Sequence, residues 1–380
     1  MDFSLSETEL TIRDLAREFA QKEVAPGAAE RDRTGEFPAH LVSRMAELGF
    51  WGVPFPEEYG GLNAGYLSYA IAVEEIGRAD ASLGITYAAG VSLGSMPLLY
   101  FGNSEQKEAW LPRLVSGEAM AAFCLTEPNA GSDAGGIETT AVPHGDGWLI
   151  NGTKQFITNG TRSALYVVAA LTDPAKRQHG GISNFLVPAA SPGVSRRNPY
   201  EKLGLHSSDT AEVVFQDVEV PGQNLLGRVG EGFPQFMQVL DGGRISIAAL
   251  SVGIAQACLD VALPYAKERQ QFGRPIGKFE AVAFKLADMA TRVELARLAT
   301  YRAAWLKDHG LPYSKEAAMA KLVASETCVD AALEAVQILG GYGYMREYPA
   351  ERLLRDAKLM VIGEGTSEIQ RLVISRHLGL

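Results

Sequence analysis

A change of texture along the chain constrains the fold most. From about Ala121 to about 225, short runs rich in β-forming residues (AAFCL, WLI, KQFI, ALYVVAAL, ISNFLV, AEVVF) are separated by dense turn signals. Gly145-Asp146-Gly147, Asn151-Gly152, Asn159-Gly160, Gly180-Gly181, Pro192-Gly193 and Pro221-Gly222 are places where a backbone takes a positive φ or a preset bend. The flanks read differently. Ile12, Leu15 and Phe19 mark an amphipathic helix that Pro26-Gly27 is expected to end, and Pro38 to Leu48 and Tyr69 to Ile76 continue the helical pattern. After Gly232 come Ala- and Leu-rich segments at about 234–268, 279–309, 313–339, 349–360 and 366–378, joined by short breaks as in an antiparallel bundle. The expected class is α+β: an N-terminal helical domain (1–120), a middle antiparallel β-barrel domain (121–230) and a C-terminal helical bundle (231–380).

Charge and composition exclude several functions. The chain has 380 residues, 35 basic against 45 acidic, a net charge of -10, so no nucleic-acid partner is expected. The longest uncharged run, Ala81 to Ser104, is long enough for a bilayer but holds four Gly, five Ser or Thr and Pro97, and reads as a buried helix and bend. No integral membrane segment is therefore expected. Cys124, Cys258 and Cys328 are far apart and odd in number, which suits a reducing, cytoplasmic setting. The six histidines are nowhere closer than 27 residues, and no metal is expected. The opening MDFSLSETEL has neither a basic n-region nor an Arg-rich character, so no signal or transit segment is expected there.

Generic motifs give little. Gly363-Glu364-Gly365 and Gly341-Tyr342-Gly343 lack the third Gly of a dinucleotide fingerprint. Gly90-Val91-Ser92-Leu93-Gly94 matches a nucleophile elbow, which would make Ser92 a hydrolase serine, but its flanks are helix-like where a strand is required.

Five segments, AFCLTEPNAGSD (122–133), GTKQFITNG (152–160), RQQFG (269–273), AVQILGGYGY (335–344) and GEGTSEIQRL (363–372), together resemble the acyl-CoA dehydrogenase family, in order and over essentially the whole chain. Similarity to short-chain and general bacterial members is carried by FKLADMA, KEAAMAKLVASE and PAERLLRDAK. The resemblance implies FAD-dependent oxidation of acyl-CoA thioesters to trans-2-enoyl-CoA. It also implies electron-transfer flavoprotein as acceptor and a homotetramer built as a dimer of dimers. An acyl-CoA oxidase, or a DNA-associated relative with an added basic C-terminal region, is an alternative from the same family.

The resemblance places the catalytic base at Glu364, with Gly363 and Gly365 removing bulk beside the acyl group. It assigns Phe123, Leu125, Thr126, Gly131, Ser132, Phe156, Ile157 and Thr158 to the flavin. Arg269, Gln271 and Phe272, with Gln337, Ile338, Gly340 and Gly341, are assigned to a neighbouring subunit's FAD, and Thr366 and Glu368 complete the cofactor set. Ser132, Asp241 and Arg244 are implied on the CoA side. A base used by the isovaleryl branch is absent, because Gly243 stands at its place.

Two departures stand out. Glu280 replaces a usual Gln, so its direct contact with the flavin is doubtful, and Gly363 replaces the Tyr usual before the base, which predicts room for branched or medium-length acyl groups. Ala88, Ala89 and Gly90 are expected to add to that room.

Overall fold

The structure, a computed structural model, describes residues 4–380; Met1, Asp2 and Phe3, which begin the expected N-terminal domain and the MDFSLSETEL opening, lie outside the described residues. Helix α1 (Glu7–Phe19) starts at a capping box between Ser6 and Glu9 and buries Ile12, Ala16 and Phe19. Pro26-Gly27 does not end the helical path. It sits in a tight 3₁₀ turn that follows a π turn, and the path resumes as α2 (Ala28–Thr34) until Gly35 at φ +68°. Proline at the start of a turn removes only a donor that has no partner there, so it redirects the chain without stopping it.

Helices α3 (Ala39–Glu47), α4 (Gly65–Ala79), α5 (Ala81–Ala89), α6 (Met96–Phe101) and α7 (Ser104–Val115) complete the first part. Asp80 separates α4 from α5 by capping the latter, its Oδ1 accepting from Ser82 N at 2.9 Å, while Arg31 pairs with its Oδ2 at 2.7 Å. The uncharged run is one helical path from Ala81 to Phe101, with a π turn at Gly90–Ser95 instead of a break. This path and the later helix Gly232–Glu268 are each long and apolar enough to cross a membrane, yet both are mostly buried inside the protein and form its core.

The middle part is an open mixed sheet, which corrects the expected closed antiparallel barrel. Strands β1 (Ala121–Cys124), β2 (Thr140–His144), β3 (Gly147–Thr158), β4 (Leu165–Leu171), β5 (Ile182–Pro188), β6 (Val194–Arg196), β7 (Thr210–Pro221) and β8 (Leu225–Leu226) order as β6-β7-β3-β2-β4-β5-β8, with β1 beside β4. Both β1 and β2 run parallel to β4, because the chain returns to β4 through long connections and not through hairpins. The two edge strands have three and two residues and do not pair with each other, so the sheet stays open. Asn151-Gly152 is also not a turn. It is an irregularity inside β3, where Gly152 lies so close to Thr139 that a Cβ would come within 2.3 Å of Oγ1.

The C-terminal part matches the expected segments closely. Helix α8 (Gly232–Glu268) is its axis, packed against α4, α5, α9 (Glu280–Asp308), α10 (Ser314–Leu339) and α11 (Ala350–Met360), and α12 (Ser367–His377) closes the chain. A two-stranded finger, β9 (Gln270–Gln271) and β10 (Arg274–Pro275), projects from the end of α8.

A buried ion pair ties β3 to the segment after β1. Lys154 Nζ donates to Glu127 Oε1 at 2.7 Å and to Leu125 O at 3.1 Å, and Glu127 also accepts from the N–H groups of Glu138 and Thr139. Removing one partner leaves the other charged, buried and unpaired, at a cost of about 3–5 kcal/mol. Lys154→Met should therefore lower the denaturant midpoint of the protein substantially, as read by circular dichroism; an unchanged midpoint would contradict a structural role for the pair.

Candidate active site

The site is built where α12's leading turn crosses α8. Glu364 lies between Gly363 and Gly365, at φ +52°, a left-handed conformation that costs a non-glycine residue about 1 kcal/mol or more. The turn is fastened on several sides. Gly363 N donates to Leu359 O at 2.9 Å and Ser367 N to Val361 O at 3.1 Å, and the Thr366 hydroxyl caps α12 by accepting from Ile369 N. Gln370 Nε2 and Lys321 Nζ both donate to Gly365 O at 2.8 Å.

This geometry carries the Glu364 carboxyl into the protein. Oε2 is shut off from solvent and has no hydrogen-bond partner. It lies over Gly243 of α8: a Cβ placed there would be 2.0 Å from Glu364 Oε2 and 3.0 Å from Leu93 Cδ2. A side chain at 243 would meet the carboxyl where it now lies and displace it, so the glycine there leaves Glu364 its place. Burial pushes the Glu364 carboxyl up to about 7, against the opposing pull of Lys321 and then Arg244. A carboxyl poised near neutrality, with a free lone pair facing inward, is suited to take a proton.

Two cations face it. Arg244, buried on α8, pairs with Asp241 one turn earlier, and Asp241 Oδ1 also accepts from Ser314 Oγ at 3.0 Å. Arg244 Nε is a buried donor with no partner. Burial holds the Arg244 guanidinium below its ordinary value and the Asp241 carboxyl above its own. Lys321 is fully buried, and burial pushes it down to about 8. It was not singled out in the sequence. The usable signal is its place among Ala317, Ala318, Ala320 and Ala324, all buried, which puts a charge on an apolar helix face.

The π turn adds Leu93, whose Cδ2 lies 3.0 Å from a Cβ placed at Gly243. Gly90, expected to make room for an acyl group, instead faces Trp51, whose Cζ3 would be 2.7 Å from a Cβ at 90. Ala88 O accepts from Tyr69 of α4 and from Ser92, so its carbonyl is already occupied. Ser92 is buried in the π turn, its Oγ 2.6 Å from Ala88 O and 3.2 Å from Ser246 Oγ. No strand precedes it, and its hydroxyl is occupied by backbone, so it has no nucleophile geometry.

The residues expected to hold FAD fall into two groups. Phe123 and Leu125 are largely covered, Thr126 O accepts from Gln155 N at 2.8 Å, and Gly131 and Ser132 are exposed in the loop beyond. Phe156 is 60% exposed at φ +59°, which rules out ordinary core packing; Ile157 is buried and Thr158 half-buried beside it. Asn159 Nδ2 donates to Thr86 O at 3.0 Å and so joins this strand end to α5.

The second group is remote. Arg269 and Gln271 line a hollow of about 510 Å³ with Ile338, Gly340, Gly341 and Tyr342, while Gln337 and Phe272 are exposed nearby, Phe272 almost completely. Arg269 lies 25 residues beyond Arg244 along α8, about 37 Å at helical rise. Within one chain the hollow at Arg269 therefore lies far from Arg244. The chemistry of both suits the expected cofactor: an exposed aromatic beside a strand end on one side, and an arginine with glycines whose backbone nothing crowds on the other. Glu368 is exposed in the first turn of α12, and Glu280 is exposed at the start of α9, where the helix dipole favours an acid.

Comparison with known proteins gives the same outline. Three family models match: acyl-CoA dehydrogenase N-terminal domain over residues 6–118, middle domain over 122–218 and C-terminal domain over 230–379. The chain is 56% identical over 378 residues to "Probable acyl-CoA dehydrogenase YngJ" of Bacillus subtilis, with all of each chain covered. It is 50% identical to the mitochondrial short-chain specific acyl-CoA dehydrogenase of Mus musculus, covering 98% of this chain and 90% of the other. Among solved structures, butyryl-CoA dehydrogenase from Megasphaera elsdenii superposes with a TM-score of 0.98 at 45% identity, each chain fully covered. A chain from a structure reported for the electron transferring flavoprotein of Acidaminococcus fermentans also gives 0.98, at 49% identity, covering 100% of this chain and 99% of that one.

The buried carboxyl leaves a thermodynamic mark. Folded Glu364 keeps its proton up to about pH 7, whereas the unfolded side chain releases it near 4.5. Its contribution to stability is therefore complete below about pH 4.5 and lost as pH rises through 7, a difference of about 3 kcal/mol. Glu364→Gln has no such loss. Its thermal midpoint should exceed that of the unaltered protein at pH 8.5 and converge with it at pH 5; parallel curves across this range would contradict the burial.

Proposed function

The chain belongs to the acyl-CoA dehydrogenase family, and we propose that Glu364 is the base with which it removes the α-proton of an acyl-CoA thioester. The overall reaction is the FAD-dependent conversion of acyl-CoA to trans-2-enoyl-CoA, with electrons passed on to electron-transfer flavoprotein. The single observation that carries the assignment is the inward-facing, unpartnered Oε2 of Glu364 beside Gly243.

In this reading the α C–H bond breaks, its proton moves to Glu364 Oε2, and the electron pair forms the new double bond as a hydride leaves the β carbon. Bound FAD supplies the acceptor for that hydride. Acidifying the α carbon requires donors at the thioester oxygen, and no described residue accepts from the Glu364 N–H, which leaves it for that purpose. Arg244, with Asp241 and Ser132, holds the CoA side. The near-neutral carboxyl matters here. A base that is too acidic lacks driving force, and one too basic stays protonated at working pH.

Phe123, Leu125, Thr126, Gly131, Ser132, Phe156, Ile157, Thr158, Thr366 and Glu368 form the cofactor's site within one chain, and Arg269, Gln271, Phe272, Gln337, Ile338, Gly340 and Gly341 reach the FAD of a neighbour. The separation along α8 supports that sharing. Exposed Phe284, Leu295, Trp305 and Leu333 on α9 and α10 offer apolar surface for the same homotetramer. A cytoplasmic setting rests on the bacterial relatives and three buried free thiols. The domain limits belong to the reading too, at 120/121 and 230/231.

Relatives named short-chain specific support a short acyl group, and Gly363 adds tolerance of branching: a Cβ there meets nothing nearer than Leu359 at 3.6 Å. Gly363→Tyr should fold and narrow the range of acyl-CoAs oxidised in a panel of straight and branched thioesters; an unchanged range would remove the steric role. Glu364→Gln should stay yellow and fail to bleach on anaerobic addition of acyl-CoA, a loss of at least about 10²-fold. Bleaching at the normal rate would refute the assignment.

A further inference from the structure

Lys321 is a fully buried ammonium on α10 with no side-chain ion pair among the described residues. Its hydrogen bond goes to a backbone carbonyl, Gly365 O, at 2.8 Å, one residue past the base. The helix face around it is alanine: Ala317, Ala318, Ala320 and Ala324 are all buried. A methionine would fill the same space without the desolvation that a cation suffers there, so packing alone gives no reason for a lysine. Of the bonds that fasten the turn around Glu364, those from Gly363, Ser367, Ile369 and Gln370 are internal to residues 359–370. The Lys321 bond comes from a different helix.

We propose that Lys321 is a positioning residue for the base: by clamping the Gly365 carbonyl from α10 it keeps Glu364 in its left-handed conformation, with the carboxyl held over Gly243. This rests on the reading of Glu364 as the base. The arrangement answers a specific need. A left-handed glutamate flanked by two glycines has few local reasons to stay where it is, and such conformations persist only when the surroundings over-determine them. The ammonium is also the strongest charge opposing the burial of the carboxyl, ahead of Arg244. The other titratable groups bearing on the carboxyl are Arg244 of α8, itself paired with Asp241, and Tyr66 and Tyr69 of α4; Glu368 of α12 bears on Lys321 from its own side.

The test compares FAD-loaded Lys321→Met, Lys321→Gln and Lys321→Arg in anaerobic single-turnover flavin reduction by butyryl-CoA across pH 5.5–9, with KM and flavin content measured alongside. Lys321→Met should retain flavin and KM but reduce flavin about 10–100-fold more slowly, the effect of a base displaced by about 1 Å, and the acid limb of its rate profile should move upward by about one pH unit. Lys321→Gln keeps a donor without the charge, so it should show the same upward limb with a smaller loss of rate. Lys321→Arg should restore the limb. A flavin-replete Lys321→Met with an unaltered rate and limb would overturn the proposal, and if that variant does not fold, Lys321→Gln with both an unaltered rate and an unaltered limb would do so. Glu364→Gln in the same assay separates the two claims: if it reduces flavin normally, the base assignment itself fails, whereas an inactive Glu364→Gln beside unaffected Lys321 variants removes only the role of Lys321.

Discussion

Everything in this protein that bears on chemistry depends on one close approach, that of the Glu364 carboxyl to the backbone of α8 at Gly243. It couples two elements distant in sequence, and the missing side chain at position 243 leaves the carboxyl its place. The long helix is buried over most of its length, so it supplies a wall against which a strained turn can be set. The glycines on either side of Glu364 let the turn form. The bonds from Gln370 and Lys321 to Gly365 O decide where it points.

Electrostatics then sets how the carboxyl behaves. Burial alone would favour its neutral form strongly, and two cations alone would favour its charged form. Their competition leaves it near 7, with burial the larger influence. Arg244 is only partly available for this task, since Asp241 takes one of its donors and Ser314 steadies Asp241 in turn. Lys321 makes no close side-chain ion pair among the described residues, and it weighs more on the base than Arg244 does.

How much of this was legible in the sequence follows from the range of each interaction. The C-terminal helices could be read within a few residues because Ala- and Leu-rich segments and their Gly/Pro breaks act locally. The sheet could be recognised but not its closure, because closure depends on which edges pair, and β6 and β8 are too short to meet. Pro26-Gly27 and Asn151-Gly152 depart from expectation for a related reason: both pairs are common at breaks, but the structure holds one in a tight helical turn and the other in a strand. At the site, Glu364 and its glycines stood out as a motif, as did Arg244. Leu93 and Lys321 did not, because a leucine in a helix and a lysine among alanines look ordinary until α8 and α12 are brought beside them. Gly90 looked like space for a ligand and is instead the contact surface for Trp51.

The most direct measurement is a crystal structure of the FAD-loaded protein with a non-oxidisable thioether analogue of a short acyl-CoA. The account requires a Glu364 carboxylate oxygen within about 3–3.5 Å of the analogue's α carbon, on the face opposite the flavin, with Gly243 lining the contact. An acyl chain seated elsewhere, or a Glu364 side chain swung out to solvent in the complex, would contradict it.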